Sequence, residues 1–322
     1  MLLIMRIGTV SFIAGLLVGA LALFIYNSRA DLVSTACQST YPLLSADLDC
    51  IGYDSNLQSI KQLDSDLDAK VAQYIKDGKA THVSVWVRDL ISKQWASSNE
   101  NDTYAPASLM KVPLMVAYYR FAQIQPSILD EPLTYVQAPQ QGDSSQDIPS
   151  DSTLVIGQQY PVEQIIEDMI INSDNNATDM LTRKIDPEFL DQTLIDLGIK
   201  IPRNNKEYDF MTVKTYSNIY RMLYNASYLN RDYSEKALGL LSKEAFKGIS
   251  ESLPKDTQVA HKFGEREFDA ATGTPVMREL HDCGIVYKDP HPYSICVMTQ
   301  GSDFDQLDSI VDDISKTAYQ AL

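Results

Sequence analysis

Basic residues are in short supply in this 322-residue chain: 27 lysines and arginines face 43 aspartates and glutamates, a formal charge of −16. Such a surface repels polyanions, so nucleic acid is excluded as a partner. Histidine is scarcer still. The four, His82, His261, His281 and His291, show neither H-x-H nor H-x-x-x-H spacing, so neither a metal centre nor a cofactor is expected. A Ser-His-Asp hydrolase would need a G-x-S-x-G elbow, and the chain has none. Internal repeats and low-complexity segments are absent as well. Only four cysteines occur, Cys37, Cys50, Cys283 and Cys296, which agrees with an oxidising compartment. The last two lie in strand-like runs on either side of Lys288-Asp289-Pro290-His291-Pro292. If Val286 lies opposite Tyr293, Cys283 lies opposite Cys296, near enough for a bridge. Two buried free thiols are the equal alternative.

What the chain does have begins with an N-terminal segment that stands apart. Arg6 precedes an uncharged apolar stretch from Ile7 to Tyr26, with Arg29 and Asp31 beyond it. That length spans a bilayer as one helix and exceeds a cleavable signal core. Residues 1–30 are therefore expected to anchor the chain in the membrane, single-pass, with the remainder extracytoplasmic. Cleavage at Ser28-Arg29-Ala30 followed by secretion is the alternative. Residues 31–56 show no sustained periodicity and are expected to be a linker.

Beyond the linker, the 44% apolar content is enough for one large core or two lobes. Leu57, Ile60, Leu63, Leu67, Val71 and Ile75 recur at three- and four-residue spacing, predicting an amphipathic helix closed by Asp77-Gly78. His82–Leu90 alternates around Val83, Val85 and Val87 and predicts a strand, with Gln94–Ser98 as its partner. Ala138–Ser152 is expected to be a loop. Val259–Phe263, Leu280–Tyr287 and Tyr293–Thr299 predict three later strands. Phe304–Leu322 predicts a terminal helix with Ser302 or Asp303 as its cap. Strands early and late, helices at both ends and a helical insertion between them describe an α+β fold. An antiparallel sheet flanked by N- and C-terminal helices is expected, together with an α-helical lobe, over residues 57–322.

Three motifs occur in order: Ser108-Leu109-Met110-Lys111, Ser173-Asp174-Asn175 and Lys262-Phe263-Gly264. Ser252-Leu253-Pro254-Lys255 also fits the first pattern, but Pro254 opposes the helix that would bring its serine and lysine together. It reads as a loop. The ordered set resembles the S-x-x-K, S-D-N and K-T-G motifs of penicillin-recognising serine enzymes, the class A β-lactamases and penicillin-binding proteins. The flanks are similar too: Tyr104 to Lys111, Ile170 to Thr178, Asp209 to Val213, and His281 to Tyr287.

A serine hydroxyl needs a base within hydrogen-bond reach, and Lys111 lies one turn beyond Ser108. Burial near a second cation, Lys262, would strip the lysine of its proton. The resemblance implies a Ser108 acyl-enzyme, Lys111 as base, Ser173 as proton relay, and Lys262 with Gly264 forming the facing wall. It also implies that Asn175 orients the substrate amide and that the amides of Ser108 and Glu265 form an oxyanion hole. The partner implied is a small molecule, a β-lactam or a peptidoglycan stem peptide, bound by a single copy of the chain. Two departures stand out. Phe263 replaces the hydroxyl residue that helps hold a substrate carboxylate, so that recognition is expected to be weak, through a different contact or a substrate lacking the group; in a strand, the ring can equally point to the core. No E-x-x-x-N pattern supplies a deacylating base between Asn175 and Asp209; of Asp186, Glu188, Asp191, Asp196 and Glu207, Glu207 is the least poor candidate. A D-alanyl-D-alanine peptidase with slow β-lactam turnover is the alternative reading, and a non-catalytic tethered binding protein on the same fold is a third.

Overall fold

The computed structural model describes residues 41–45, 60–137, 148, 152, 154–202, 208–269 and 276–322. The chain divides into two units, Met1–Tyr53 and Asp54–Leu322. Within the first, residues 41–45 form a turn in which the Leu44 amide donates to the Tyr41 carbonyl at 3.3 Å. The proposed anchor, Cys37 and Cys50 lie outside the described residues. Among the described residues, no helix is long and apolar enough to cross a membrane.

The second unit is built on a five-stranded antiparallel sheet. In chain order the strands are β1 (His82–Asp89), β2 (Trp95–Ser98), β5 (Gln258–Asp269), β6 (Val276–Tyr287) and β7 (Tyr293–Gly301), arranged β2-β1-β7-β6-β5. A small hairpin pairs β3 (Pro132–Thr134) with β4 (Gln159–Pro161). One face of the large sheet is covered by α1 (Lys61–Lys76) and by α8 (Phe304–Ala321). Leu63, Leu67 and Val71 of α1 and Leu307, Ile310, Val311 and Ile314 of α8 are buried there against Val83, Val85, Val87, Tyr293, Ile295 and Val297. The alternation read from β1 is therefore its buried face.

Differences from the sequence reading are local. Helix α1 is described from Lys61, and its buried stripe ends on Tyr74, whereas Ile75 is 42% exposed. A step of three from Val71 keeps Tyr74 on the packed face, and a step of four rotates Ile75 out of it. Strands β5 and β6 run well past their apolar cores, because each supplies the other's hydrogen bonds through Asp269 and Val276. The terminal helix is capped by Asp303, which accepts from the Gln306 amide at 2.9 Å.

On the other face lies the helical lobe: α2 (Lys111–Ala122), α3 (Val162–Ile171), α4 (Asn175–Lys184), α5 (Pro187–Asp196), α6 (Val213–Tyr224) and α7 (Arg231–Leu241). Almost every residue of α2 is buried, as expected of a helix that is apolar on all sides. Pro113 falls in its first turn, where a missing donor is tolerated. Val286 does lie opposite Tyr293, and Cys283 and Cys296 are joined by a disulfide at Cα–Cα 3.9 Å. Of the two thiol states left open by the sequence, the structure holds the bridge.

Candidate active site

The turn that carries Ser108 is assembled from three sides. Tyr104 forms an isolated antiparallel bridge with Met211: its amide donates to the Met211 carbonyl at 2.9 Å and its carbonyl accepts from the Met211 amide at 3.0 Å. Its hydroxyl pairs with Ser84 Oγ on β1 at 2.9 Å. Next in line, the Ala105 carbonyl lies 3.1 Å from His281 Nε2 on β6. The Thr299 amide donates to His281 Nδ1 at 3.3 Å, so the ring is neutral with its proton on Nε2. Burial agrees, lowering the pKa of His281 to about 4. Ala107 then adopts a left-handed φ of 47°, and Ala107–Met110 form a 3₁₀ turn that runs into α2. The Tyr216 hydroxyl of α6 donates to the Leu109 carbonyl at 2.8 Å and fixes the turn from below.

In a 3₁₀ turn, residues three apart eclipse one another. Ser108 and Lys111 are therefore stacked, with Lys111 Nζ donating to Ser108 Oγ at 2.9 Å. The same ammonium reaches Ser173 Oγ at 2.9 Å, the Ser173 carbonyl at 2.6 Å and Asn175 Oδ1 at 2.8 Å. Ser173 presents both oxygens because its own φ is left-handed, 53°. Asp174 then caps α4, accepting from the Ala177 amide at 2.5 Å. The first two motifs thus meet on one nitrogen.

Four oxygens around three ammonium hydrogens would normally favour the charged form. Burial opposes them, and the nearby Lys262 adds repulsion, so the pKa of Lys111 is lowered to about 7, with Asp174, Glu244 and Glu265 pulling weakly the other way. Half of such lysines carry a lone pair at neutral pH. A lone pair aimed at Ser108 Oγ is what a general base requires.

Lys262 lies on β5, the edge strand of the sheet, directly beside that turn. Gly264, two residues along on the same face, explains the close approach: a Cβ there would lie 2.7 Å from the Pro106 carbonyl oxygen and 3.1 Å from the Leu109 nitrogen. Lys262 is fully buried and donates to Glu244 Oε2 at 2.5 Å. Burial lowers its pKa and raises that of Glu244, the usual direction for each group in low dielectric. Glu265 follows, its carboxylate accepting from the Ile148 amide at 3.0 Å.

Phe263 does not face the cleft. It is 3% exposed and belongs to the core beneath α1 and α8, with its ring 4.7 Å from that of Phe246. Strand alternation puts it opposite Gly264, and of the two placements open to it, cleft or core, it takes the core. Its ring also covers Lys262 Nζ, at 4.1 Å from the centroid. Ser252, the rejected motif match, lies on an exposed turn and donates to Asp312 Oδ2 at 2.5 Å. Asp186, Glu188, Asp191 and Asp196 are exposed on or beside α5, and Asp186 caps that helix. Glu207 lies outside the described residues.

Glu244 has no counterpart in the sequence reading, and no local pattern marks it. Neither is there a sequence signal for Tyr216 or for the pairing of His261 Nδ1 with both oxygens of Asp282 at 2.9 Å. Each depends on segments brought together only by the fold.

A sequence profile of the β-lactamase enzyme family matches residues 66–322. The chain belongs to that family. Solved structures of similar fold include a mutant of PBP-A caught as an acyl-enzyme complex with penicillin G, 18% identical, with a TM-score of 0.66 over 84% of this chain and 98% of that one. The TLA-1 extended-spectrum β-lactamase is 20% identical, with a TM-score of 0.67 over 80% and 98%. A class A β-lactamase representative from Bacteroides cellulosilyticus is 18% identical, with a TM-score of 0.66 over 80% and 98%. No curated protein matches the chain by sequence.

Proposed function

We propose that this family member is an extracytoplasmic serine acyl hydrolase that forms an acyl-enzyme through Ser108 with a β-lactam or a related amide. The observation that carries the reading is the placement of Lys111 Nζ, 2.9 Å from both Ser108 Oγ and Ser173 Oγ, with a pKa near neutrality. In the proposed reaction neutral Lys111 takes the Ser108 proton as Oγ bonds to the carbonyl carbon. The proton passes through Ser173 to the leaving nitrogen as the C–N bond breaks. The amides of Ser108 and Glu265 would receive the oxyanion, and Asn175 would hold the substrate amide once Lys111 releases it. Water then cleaves the ester. The N-terminal apolar segment supports a tethered protein with its active site outside the cytoplasm.

A second reading, a penicillin-binding-protein-like D-alanyl-D-alanine peptidase with slow β-lactam turnover, draws on the exposed position of Asp186, Glu188, Asp191 and Asp196. None of the four is buried near Lys111. Exposure of the protein to a fluorescent penicillin, followed by intact-mass measurement of adduct formation and decay, separates the readings. Rapid decay favours a β-lactamase and a persistent adduct a penicillin-binding protein. The absence of any adduct would leave the non-catalytic binder.

A further inference from the structure

A buried carboxylate outside every motif lies behind Lys262, the motif lysine of β5. Glu244, in the turn after α7, binds the ammonium of Lys262, and both side chains are shut off from water, at 1% and 0% exposure. Its other oxygen accepts from the Ala245 amide at 3.1 Å. That amide also reaches the carbonyl of Ile171, at the end of the helix leading to Ser173, at 3.2 Å. With the Phe263 ring 4.1 Å from Lys262 Nζ, this cation is engaged before any substrate arrives.

We propose that Glu244 sets the charge selectivity of the site: by neutralising Lys262 from within the protein, it makes the cleft favour acyl donors with no carboxylate beside the scissile bond, neutral esters or uncharged amides. The proposal rests on the Ser108 acyl-enzyme reading above. Charge counting carries it. Whether the proton sits on nitrogen or on oxygen, the pair sums to zero, so Lys262 itself brings no net positive charge to an anionic donor. A donor carboxylate brought to Lys262 would meet Glu244 across the same ammonium, with Glu265 also in electrostatic reach. Two carboxylates sharing one buried cation repel, and one must take up a proton or leave. His261 and Asp282, the remaining titratable neighbours of Glu244, are hydrogen-bonded to each other at 2.9 Å, and Asp282 also accepts from the Ile249 amide. With an ester donor, Ser108 Oγ bonds to the carbonyl carbon, the bond to the leaving alkoxide breaks, and the serine proton passes by Lys111 and Ser173 to that alkoxide.

The test compares penicillin G with its methyl ester, the same ring system differing by one charge, on the wild type and on Glu244→Gln. Intact mass reads the rate of Ser108 acylation, with p-nitrophenyl acetate as a small neutral donor. The wild type should react at least as fast with the methyl ester as with the acid, and Glu244→Gln should lower the ester-to-acid ratio by roughly tenfold or more. Because both rates come from one protein sample, any loss of folded fraction cancels in the ratio. Should the variant not fold, the wild-type ratio decides, and faster acylation by the acid overturns the proposal. An unchanged ratio in a folded variant overturns it too, while leaving Ser108 as the nucleophile. Failure of all three donors to label Ser108 overturns it together with the acyl-enzyme reading.

Discussion

Replacing Phe263 by threonine restores the residue type that the family's third motif usually carries, and the structure says that the result is a weaker fold. The ring is 3% exposed, packs tilted at 4.7 Å against that of Phe246 and closes the core between the sheet, α1 and α8. Removing most of a buried phenyl side chain costs about 3–5 kcal/mol through lost transfer energy and the cavity left behind. The threonine hydroxyl would enter the same apolar space and adds to that cost unless it finds a partner. The aromatic pair with Phe246 contributes about 0.5–1.5 kcal/mol beyond its area. For a domain of this size the loss corresponds to a fall in Tm of about 6–20 °C. Urea unfolding followed by circular dichroism, with Phe263→Leu as the volume-conserving control, measures it directly. The leucine variant should retain most of the stability. A threonine variant within about 1 kcal/mol of wild type that also reacts faster with penicillins would refute the reasoning, because it would put the side chain in the cleft.

Ser108→Ala should abolish the covalent adduct with the melting temperature unchanged, whereas Ser252→Ala should leave labelling intact; an adduct on Ser252 would remove Ser108 from its role. Lys111→Met should slow acylation on the order of a hundredfold or more, and near-wild-type rates would move the base elsewhere. Since the lysine's pKa is lowered to about 7, its neutral form grows as pH rises, so wild-type acylation should increase through that value; a flat profile from pH 6 to 8 contradicts this. Gly264→Ala would force the edge strand away from the Pro106 carbonyl, and we expect acylation to fall more than stability does. Equal rates in alanine variant and wild type would show that the gap tolerates widening.

The motif residues were legible because their chemistry imposes fixed short spacings: serine and lysine three apart can only meet on a helical turn. The sheet was legible because β1, β6 and β7 alternate or run apolar, and the same pattern put Cys283 opposite Cys296. Beyond Phe263, β5 continues as Gly264-Glu265-Arg266-Glu267, with no apolar alternation to extend a strand; pairing with β6 holds it extended. Phe263 was legible only as far as two options, cleft or core, because a strand turns every second side chain away and the motif does not say which side faces the cleft. Glu244 was invisible because an acid 18 residues before Lys262 has no reason to meet it until α7 and β5 are packed.

The order of the sheet also determines when the site can come into being. β1 pairs with β7 across most of the chain, His82 opposite Gln300, and β5 is attached only through β6. The serine turn emerges early in synthesis, but the strand that forms its facing wall joins the sheet only once β6 and β7 have been added. Contacts that distant in sequence form late and slowly. A truncated chain ending before β7 would therefore carry Ser108, Lys111 and Ser173 with β5 and β6 not yet joined to β1, and we expect no labelling of Ser108 until the last of the described strands is in place.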